Sequence, residues 1–243
     1  MSLKDCEHFL LQVELRRDKV LSFAEYPFSL PVVKTLKRFK LHPSVTFIVG
    51  ENGSGKSTLL EAIAVAYGFN AEGGSKNFGF ATHQSHSVLH EYLRVARGIR
   101  RPTDGFFLRA ESFYNVATYV DEIGATGYGN MSLHDQSHGE SFWSLFMHRF
   151  KGNGFYVLDE PEAALSPARQ LALLVPLNDL VRTGSQFLIA THSPILMAYQ
   201  NAVIHQLTEK GLRPVLYEDT EHFTLTKAFL NNPKGMLNEL FRE

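Results

Sequence analysis

A glycine-rich segment that carries one lysine and one serine is the part of this sequence best suited to chemistry. It reads GENGSGKST and satisfies the pattern G-x-x-x-x-G-K-[ST]. Glycines let backbone N–H groups point inward at a phosphate, and a following helix presents its positive end to the same anion. Lys56 is then placed to contact β- and γ-phosphate oxygens, and the Ser57 hydroxyl is placed to ligate Mg²⁺. The segment predicts a nucleoside triphosphate site made by Gly50, Glu51, Asn52, Gly53, Ser54, Gly55, Lys56, Ser57 and Thr58.

Two adjacent carboxylates, Asp159 and Glu160, form the second candidate group. They directly follow the apolar run 155–158, and a parallel sheet delivers residues at the ends of its strands to its ligand-binding edge. Alone, two acids at this position would be typical of a solvated turn. Together with the phosphate loop they predict that Asp159 holds Mg²⁺ and that Glu160 orients or deprotonates an attacking water.

The elements that must position these residues alternate between strand and helix. A short apolar run precedes the glycine loop, and apolar residues recur at helical spacing after it. The alternation predicts an α/β fold with a largely parallel central sheet, preceded by an N-terminal antiparallel β portion. We expect strands at 9–15, 30–36, 45–49, 106–109, 155–158 and 186–190, helices at 57–67, 87–96 and 167–182, and a hairpin around 209–211.

Composition fits one domain with a small helical lobe inserted in it. The chain has 243 residues, 44% of them hydrophobic, so we expect a single domain over 1–243 with the lobe at about 110–150. The 24 basic and 25 acidic residues nearly cancel, so no whole-molecule field attracts nucleic acid or an anionic membrane. One cysteine, no secretory signal pattern and no apolar run of roughly 18 residues predict a cytoplasmic protein without direct membrane insertion.

The residues around the carboxylates carry a specific resemblance. The run DEPEAALS from Asp159 to Ser166 resembles the Walker B and D-loop segment of the ATP-binding-cassette ATPases. Thr191-His192-Ser193, about thirty residues further on, resembles the switch histidine of that family. The resemblance implies that His192 contacts the γ-phosphate and acts with Lys56 and Glu160 in catalysis. Ser166 stands where the transporters of the family usually have aspartate, so communication between two sites is expected to differ.

The segment QSHGES, 136–141, resembles the family's signature loop only in part. Ser137 and Gly139 fall on the serine and second glycine of the signature, while His138 and Glu140 replace its first glycine and its glutamine. In the family this loop reaches the γ-phosphate bound by another copy, so the resemblance implies a homodimer with ATP at the interface. An ordinary Ser-Gly turn is the alternative.

Two further family positions are less well matched. Glu111 stands near the place of the Q-loop glutamine, where a carboxylate could ligate Mg²⁺ or water but adds charge; Gln84 is the alternative. For the adenine ring, the resemblance places an aromatic residue about thirty positions before Lys56. Tyr26 or Phe28 could stack there, or both could belong to the core.

Two clusters lie outside the family pattern. Three histidines, His83, His86 and His90, have a spacing that could place them on one helix face as metal ligands, although a zinc site usually needs a fourth donor and supporting partners. Four arginines could contact a nucleic-acid backbone or an acidic partner, or form a solvated helix face. They are Arg94, Arg97, Arg100 and Arg101.

The resemblance covers most of the chain and is closest to compact bacterial ATPases of the cassette and chromosome-maintenance superfamily. It implies a P-loop NTPase fold, a helical signature lobe, and a soluble ATPase that uses ATP and Mg²⁺ and couples dimer closure to a separate effector protein in DNA maintenance or defence. Nucleic acid stays open as a partner. The alternatives are the ATP-binding subunit of a membrane transporter and a nucleotide-gated scaffold without turnover.

Overall fold

The computed structural model describes residues 8–74, 87–109 and 138–242. The strands in these ranges are β1 (Leu10–Leu15), β2 (Arg38–Lys40), β3 (Val45–Val49), β4 (Leu93–Arg97), β5 (Asp104–Arg109), β6 (Gly154–Asp159), β7 (Gln186–Ala190), β8 (Ala202–Thr208) and β9 (Gly211–Val215). The helices are α1 (Pro31–Thr35), α2 (Lys56–Tyr67), α3 (His138–Arg149), α4 (Pro167–Arg182), α5 (Pro194–Met197), α6 (Glu221–Asn231) and α7 (Pro233–Leu240).

The central sheet has six strands in the order β5-β6-β7-β3-β8-β9. The first five are parallel, and β9 pairs antiparallel with β8 through the expected hairpin. Every residue of β3, β6 and β7 is buried, as continuous apolar runs in a parallel sheet covered on both faces should be. The phosphate loop follows β3, Asp159 is the last residue of β6 and Thr191 follows β7, so all three lie at the carboxyl edge of the sheet.

Helix α2 lies between the central sheet and a second, antiparallel sheet with the order β2-β1-β4. Its residues Leu59, Leu60 and Ile63 share one apolar cluster with residues of both sheets. Helices α3, α4 and α5 contribute to a second cluster on the opposite face of the central sheet. The α/β class, the largely parallel sheet and the N-terminal antiparallel portion are confirmed.

A buried glutamine joins the two sheets. The Oε1 of Gln186 accepts hydrogen bonds from the amides of Phe9 and Leu10, and its Nε2 donates to the carbonyls of Leu10 and His42, all at 2.9 Å. The side chain is completely buried, so these four bonds satisfy its polar atoms. The first residue of β7 thereby fixes the start of β1.

Two predicted elements are wrong. The segment 30–36 is not a strand, because Pro31 occupies the first position of helix α1, whose Val32 and Val33 are buried. The expected helix at 87–96 is a 3₁₀ turn, Val88–Tyr92, followed by strand β4. Strand β4 pairs with β1, and this long-range ladder overrides the local helical spacing.

The four arginines consequently do not share a helix face. Arg94 and Arg97 lie on β4, and Arg97 donates from Nη2 to the carbonyl of Tyr67 at 2.8 Å. The guanidinium of Arg100 lies over the ring of Phe9 and donates to the Asn153 side chain. Arg97 and Arg100 therefore make contacts that support the fold.

Candidate functional site

The phosphate loop connects the end of β3 to the start of α2, as its spacing predicts. Gly53 and Gly55 have φ values of 74° and 96°, a left-handed region that residues with a Cβ rarely adopt. A Cβ on Gly55 would also lie 2.9 Å from Cγ1 of Val32. Gly55 is the residue before α2, so its glycine identity is what lets the loop turn directly into the helix N-terminus.

Lys56 is held inside the loop. Its side chain is buried, and Nζ donates to the carbonyls of Gly50 and Glu51 at 2.8 Å each. Burial lowers the pKa of the Lys56 ammonium, although the carboxylates of Glu160 and Asp159 act in the opposite direction. The ammonium therefore lies inside the curled loop, near the carboxylates of Asp159 and Glu160.

The two predicted magnesium ligands, Ser57 and Asp159, lie in contact. The Ser57 hydroxyl donates to Oδ1 of Asp159 at 3.2 Å, joining the first turn of α2 to the end of β6. Both groups supply oxygen, the ligand type that Mg²⁺ prefers, so the donor set fits the predicted ion.

An arginine and a glutamate support this pair. Nη1 of Arg109 lies 2.6 Å from Oε2 of Glu61, and its Nε lies 3.9 Å from Oδ2 of Asp159. Arg109 ends β5, directly before the segment in which a Q-loop residue was expected, and Glu61 lies on α2. Sequence reasoning missed this ion pair, because neither residue belongs to a recognisable motif.

Glu160 has an unusual backbone conformation. Its φ and ψ are 51° and 54°, a left-handed geometry that costs a non-glycine residue about 1–3 kcal/mol. Its amide donates to the carbonyl of Ala190, which anchors the turn to β7. Its side chain is about 39% exposed and lies with the loop around a cavity of about 270 Å³. The lining consists of Tyr26, Leu30, Asn52, Gly53, Gly55, Lys56, Ser57, Thr58 and Glu160.

His192 lies opposite this carboxylate. Its Nε2 is 3.6 Å from Oε1 of Glu160, and its Nδ1 is 2.9 Å from Nε2 of His222. Burial, then the nearby Lys56 ammonium, lower the pKa of the His192 imidazole, although Glu160 acts in the opposite direction. The structure thus brings Lys56, Ser57, Asp159, Glu160 and His192 together at one edge of the sheet.

Glu162 contacts the backbone of His192 and was also missed. Its Oε1 accepts from the His192 amide, and burial raises the pKa of its carboxyl group. The sequence places Glu162 in the DEPEAALS run, but only the fold shows that its carboxyl group is largely buried. It holds the loop after β7 against the turn after β6.

Several predicted residues lie outside the described ranges. These are Glu111, Ser137, Gln84, His83 and His86. Gly139 lies in the first turn of α3, and His90 makes a local contact from Nδ1 to the Ser87 carbonyl at 3.0 Å. Within the described ranges, no group of three His, Cys, Asp or Glu residues is arranged to hold a metal.

The two aromatic residues considered for stacking on adenine differ in their exposure. Phe28 is half-buried and packs edge-on against Tyr92, with ring centroids 4.7 Å apart. Tyr26 is 65% exposed and lines the cavity beside the phosphate loop. Phe28 is therefore a core residue, and Tyr26 has the open ring face that stacking requires.

Comparisons with known proteins agree with this geometry. Two family models match the chain: "AAA domain" over residues 28–107 and "AAA domain, putative AbiEii toxin, Type IV TA system" over residues 79–198. A "Putative ABC transporter ATP-binding protein" of Staphylococcus aureus is 25% identical over 205 residues, covering 72% of this chain and 35% of the relative. The chain thus spans about a third of the length of the curated relatives it matches.

One solved structure shows the same fold, and a second aligns less closely. An inward-facing metal-chelate type ABC transporter aligns with a TM-score of 0.51 at 16% identity, covering 91% of this chain and 89% of that chain. An SMC head domain from Thermotoga maritima aligns with a TM-score of 0.47 at 17% identity, covering 85% and 99%. Among the described residues, no helix has both the length and the apolar character needed to cross a bilayer.

Proposed function

We propose that this chain, which matches AAA domain models over residues 28–107 and 79–198, is an ABC-type ATPase that binds Mg-ATP between two copies of itself and hydrolyses it. The observation that carries this proposal is the convergence of Lys56, Ser57, Asp159 and Glu160 at one sheet edge. Phosphoryl transfer to water requires a phosphate-binding loop, a cation, oxygen ligands for a metal ion and a carboxylate that solvent can reach.

Each residue has a defined role in this reaction. Lys56 moves its ammonium from the loop carbonyls to β- and γ-phosphate oxygens, and the loop amides hold the β-phosphate. Ser57 and Asp159 would hold Mg²⁺, which would offset negative charge on the phosphates. Glu160 orients the water and accepts its proton as the oxygen attacks the γ-phosphorus and ADP leaves. His192 donates to a γ-phosphate oxygen.

The second copy would close the site through its signature loop. Gly139 lies in the first turn of α3, and Ser137 directly precedes that helix in sequence. A helix N-terminus carries partial positive charge, so this end of α3 suits contact with the γ-phosphate of the other copy. ATP then holds the dimer together, and hydrolysis releases it. Glu111 remains the candidate for the Q-loop role, and Tyr26 for stacking on adenine.

We infer that dimer closure acts on a separate effector protein in DNA maintenance or defence within the cytoplasm. The family description that names a toxin of a type IV toxin–antitoxin system supports this reading. A membrane transporter's ATP-binding subunit is the second candidate, because the curated relatives are named as ABC transporter ATP-binding proteins. ATPase activity stimulated by DNA would favour the first, and co-purification with a membrane permease the second.

The test compares wild-type protein with Glu160→Gln in a phosphate-release assay, with light scattering to measure mass. Removing the carboxylate that prepares water should lower kcat at least about 100-fold and make ATP-dependent dimers accumulate. Chelation of Mg²⁺ should abolish turnover. Glu91→Gln is the matched control, because Glu91 is exposed on the 3₁₀ turn before β4.

Three results would contradict the proposal. Wild-type protein that binds no nucleotide at millimolar Mg-ATP would remove its basis. Glu160→Gln protein that hydrolyses at the wild-type rate would show that another group prepares the water. Wild-type protein that dimerises with ATP but never releases phosphate would be a nucleotide-gated scaffold.

A further inference from the structure

A second histidine contacts the switch histidine from a different part of the chain. His222 is the second residue of α6, and its Nε2 lies 2.9 Å from Nδ1 of His192. We propose that His222 is a positioning residue that fixes His192 as the Nε2–H tautomer, so that His192 presents a hydrogen-bond donor to the γ-phosphate. The effect on turnover rests on the proposed function, whereas the tautomer itself does not.

The positions of the ring hydrogens in this pair follow from counting hydrogen-bond donors and acceptors. One of the two facing nitrogens must carry the hydrogen, and the ring nitrogen that donates leaves the other nitrogen of a neutral imidazole as an acceptor. If His222 donates from Nε2, the Nδ1 of His192 accepts, and His192 carries its hydrogen on Nε2. If His192 donates from Nδ1, its Nε2 carries a lone pair instead.

The surroundings of the pair select the first arrangement. The Nε2 of His192 lies 3.6 Å from the Glu160 carboxylate, so a hydrogen there is attracted and a lone pair is repelled. Nε2 of His192 and Nδ1 of His222 are both buried without a hydrogen-bond partner, so each arrangement leaves one of these two nitrogens as an unsatisfied N–H. This cost is therefore common to both arrangements. The Glu160 carboxylate beside Nε2 of His192 distinguishes them, and it points to His222 as donor.

Burial favours the neutral form of both rings. Burial is the largest cause that lowers the pKa of His222, and it also lowers the pKa of His192. The Lys56 ammonium acts in the same direction on both. One hydrogen therefore lies between Nδ1 of His192 and Nε2 of His222, and each ring has one defined tautomer.

The start of α6 is built to hold His222 in place. The Thr220 hydroxyl caps the helix by accepting from the amide of Phe223, and Thr220 is fully buried. Tyr217 packs against the Phe223 ring and donates from its hydroxyl to the carbonyl of Pro194, at the start of α5. Because Pro194 is two residues from His192, the two histidines are connected through short, packed segments.

The direct test measures ring protonation in nucleotide-free protein labelled with ¹⁵N-histidine. Long-range ¹H–¹⁵N spectra distinguish a protonated ring nitrogen from one with a lone pair, and His192→Asn identifies the His192 signals by their loss. We expect Nε2 of His192 to be protonated and Nδ1 to be an acceptor. A wild-type spectrum with the hydrogen on Nδ1, or with an imidazolium, overturns the proposal whether or not the protein hydrolyses ATP.

Two variants separate the donor from the bulk of the ring. His222→Phe keeps an aromatic ring without a donor and should lower kcat about tenfold with little change in KM, the low end of effects for partners of functional histidines. His222→Gln keeps an N–H donor and should restore most of the activity and the Nε2–H signal. Equal kcat in both variants at equal thermal stability would refute the positioning role.

Discussion

Replacing Lys56 with methionine separates what this residue does for the fold from what it does for the ligand. In the folded protein, two charge-assisted hydrogen bonds to the loop carbonyls stabilise the ammonium by about 1.5–3 kcal/mol each. Burying the ammonium costs several kcal/mol in the opposite direction. Because burial lowers its pKa, this cost is fully present below the pKa of the folded state and is lost as the pH rises toward the ordinary lysine pKa. The terms nearly cancel, so Lys56→Met should change the unfolding free energy by no more than about 1 kcal/mol.

The ligand response should change far more. At an Mg-ATP concentration of about 100 times the wild-type Kd, binding stabilises the folded protein by about 2.7 kcal/mol. Loss of the lysine contact, about 2.7 kcal/mol, weakens binding about 100-fold and leaves an increment of about 0.4 kcal/mol at the same concentration. For a chain of this size, the shift in melting temperature should fall from roughly 5–11 °C to about 1 °C.

Thermal unfolding with and without Mg-ATP is the measurement. Lys151→Met is the matched control, because Lys151 is exposed and precedes β6 at the opposite edge of the sheet from the phosphate loop. The control should retain the full wild-type increment. The reasoning is refuted if Lys56→Met also retains it, or if that variant has lost several kcal/mol of stability before any nucleotide is added.

Two further predictions concern the scaffold. Gln186→Met should lower the unfolding free energy in urea by about 3 kcal/mol or more, because four buried backbone groups lose their partner; Gln12→Met, on a half-buried strand residue, should change it by less than about 1 kcal/mol. For Asp104, burial alone would raise the pKa, but its hydrogen bond from Arg149 helps to outweigh burial and holds the pKa below its ordinary value. The ionised group therefore stabilises the fold above the ordinary pKa, and this contribution is lost as pH falls. Asp104→Asn should cost about 2 kcal/mol at pH 7, and a pH series of melts should show the difference from wild type shrinking as the pH falls below the ordinary aspartate pKa.

The parts of the fold that follow from sequence are those whose signals are local. Strand β3, the phosphate loop and α2 are contiguous, and the glycine, lysine and serine spacing specifies all three together. The continuous apolar run of β7 and the Ser166-Pro167 start of α4 are equally local, and both elements have the predicted bounds. Ser166 caps α4 by accepting from the amide of Arg169.

The parts that sequence could not specify depend on contacts between distant residues. Apolar residues around Leu93 fit either a helix or a strand, and the choice is made by β1, which lies about eighty residues earlier in the chain. Likewise, His222 and His192 are thirty residues apart, and no spacing rule connects them. The roles that the sequence assigned to Ser137 and Glu111 stay predictions, because both lie outside the described residues.

Three energetically unfavourable features lie together at the candidate site. Lys56 is a buried cation with a lowered pKa, Glu162 is a covered carboxyl group with a raised pKa, and Glu160 has a left-handed backbone. Each of these costs stability when considered alone, and all three lie at the same edge of the central sheet. A polyanionic ligand would place negative charge next to the buried Lys56 ammonium. A divalent cation would offset the negative charges of Asp159 and Glu160. Gln186, a buried polar residue away from this edge, has its side-chain polar atoms fully paired, so the concentration of these three costs at one edge is what function, rather than folding, requires.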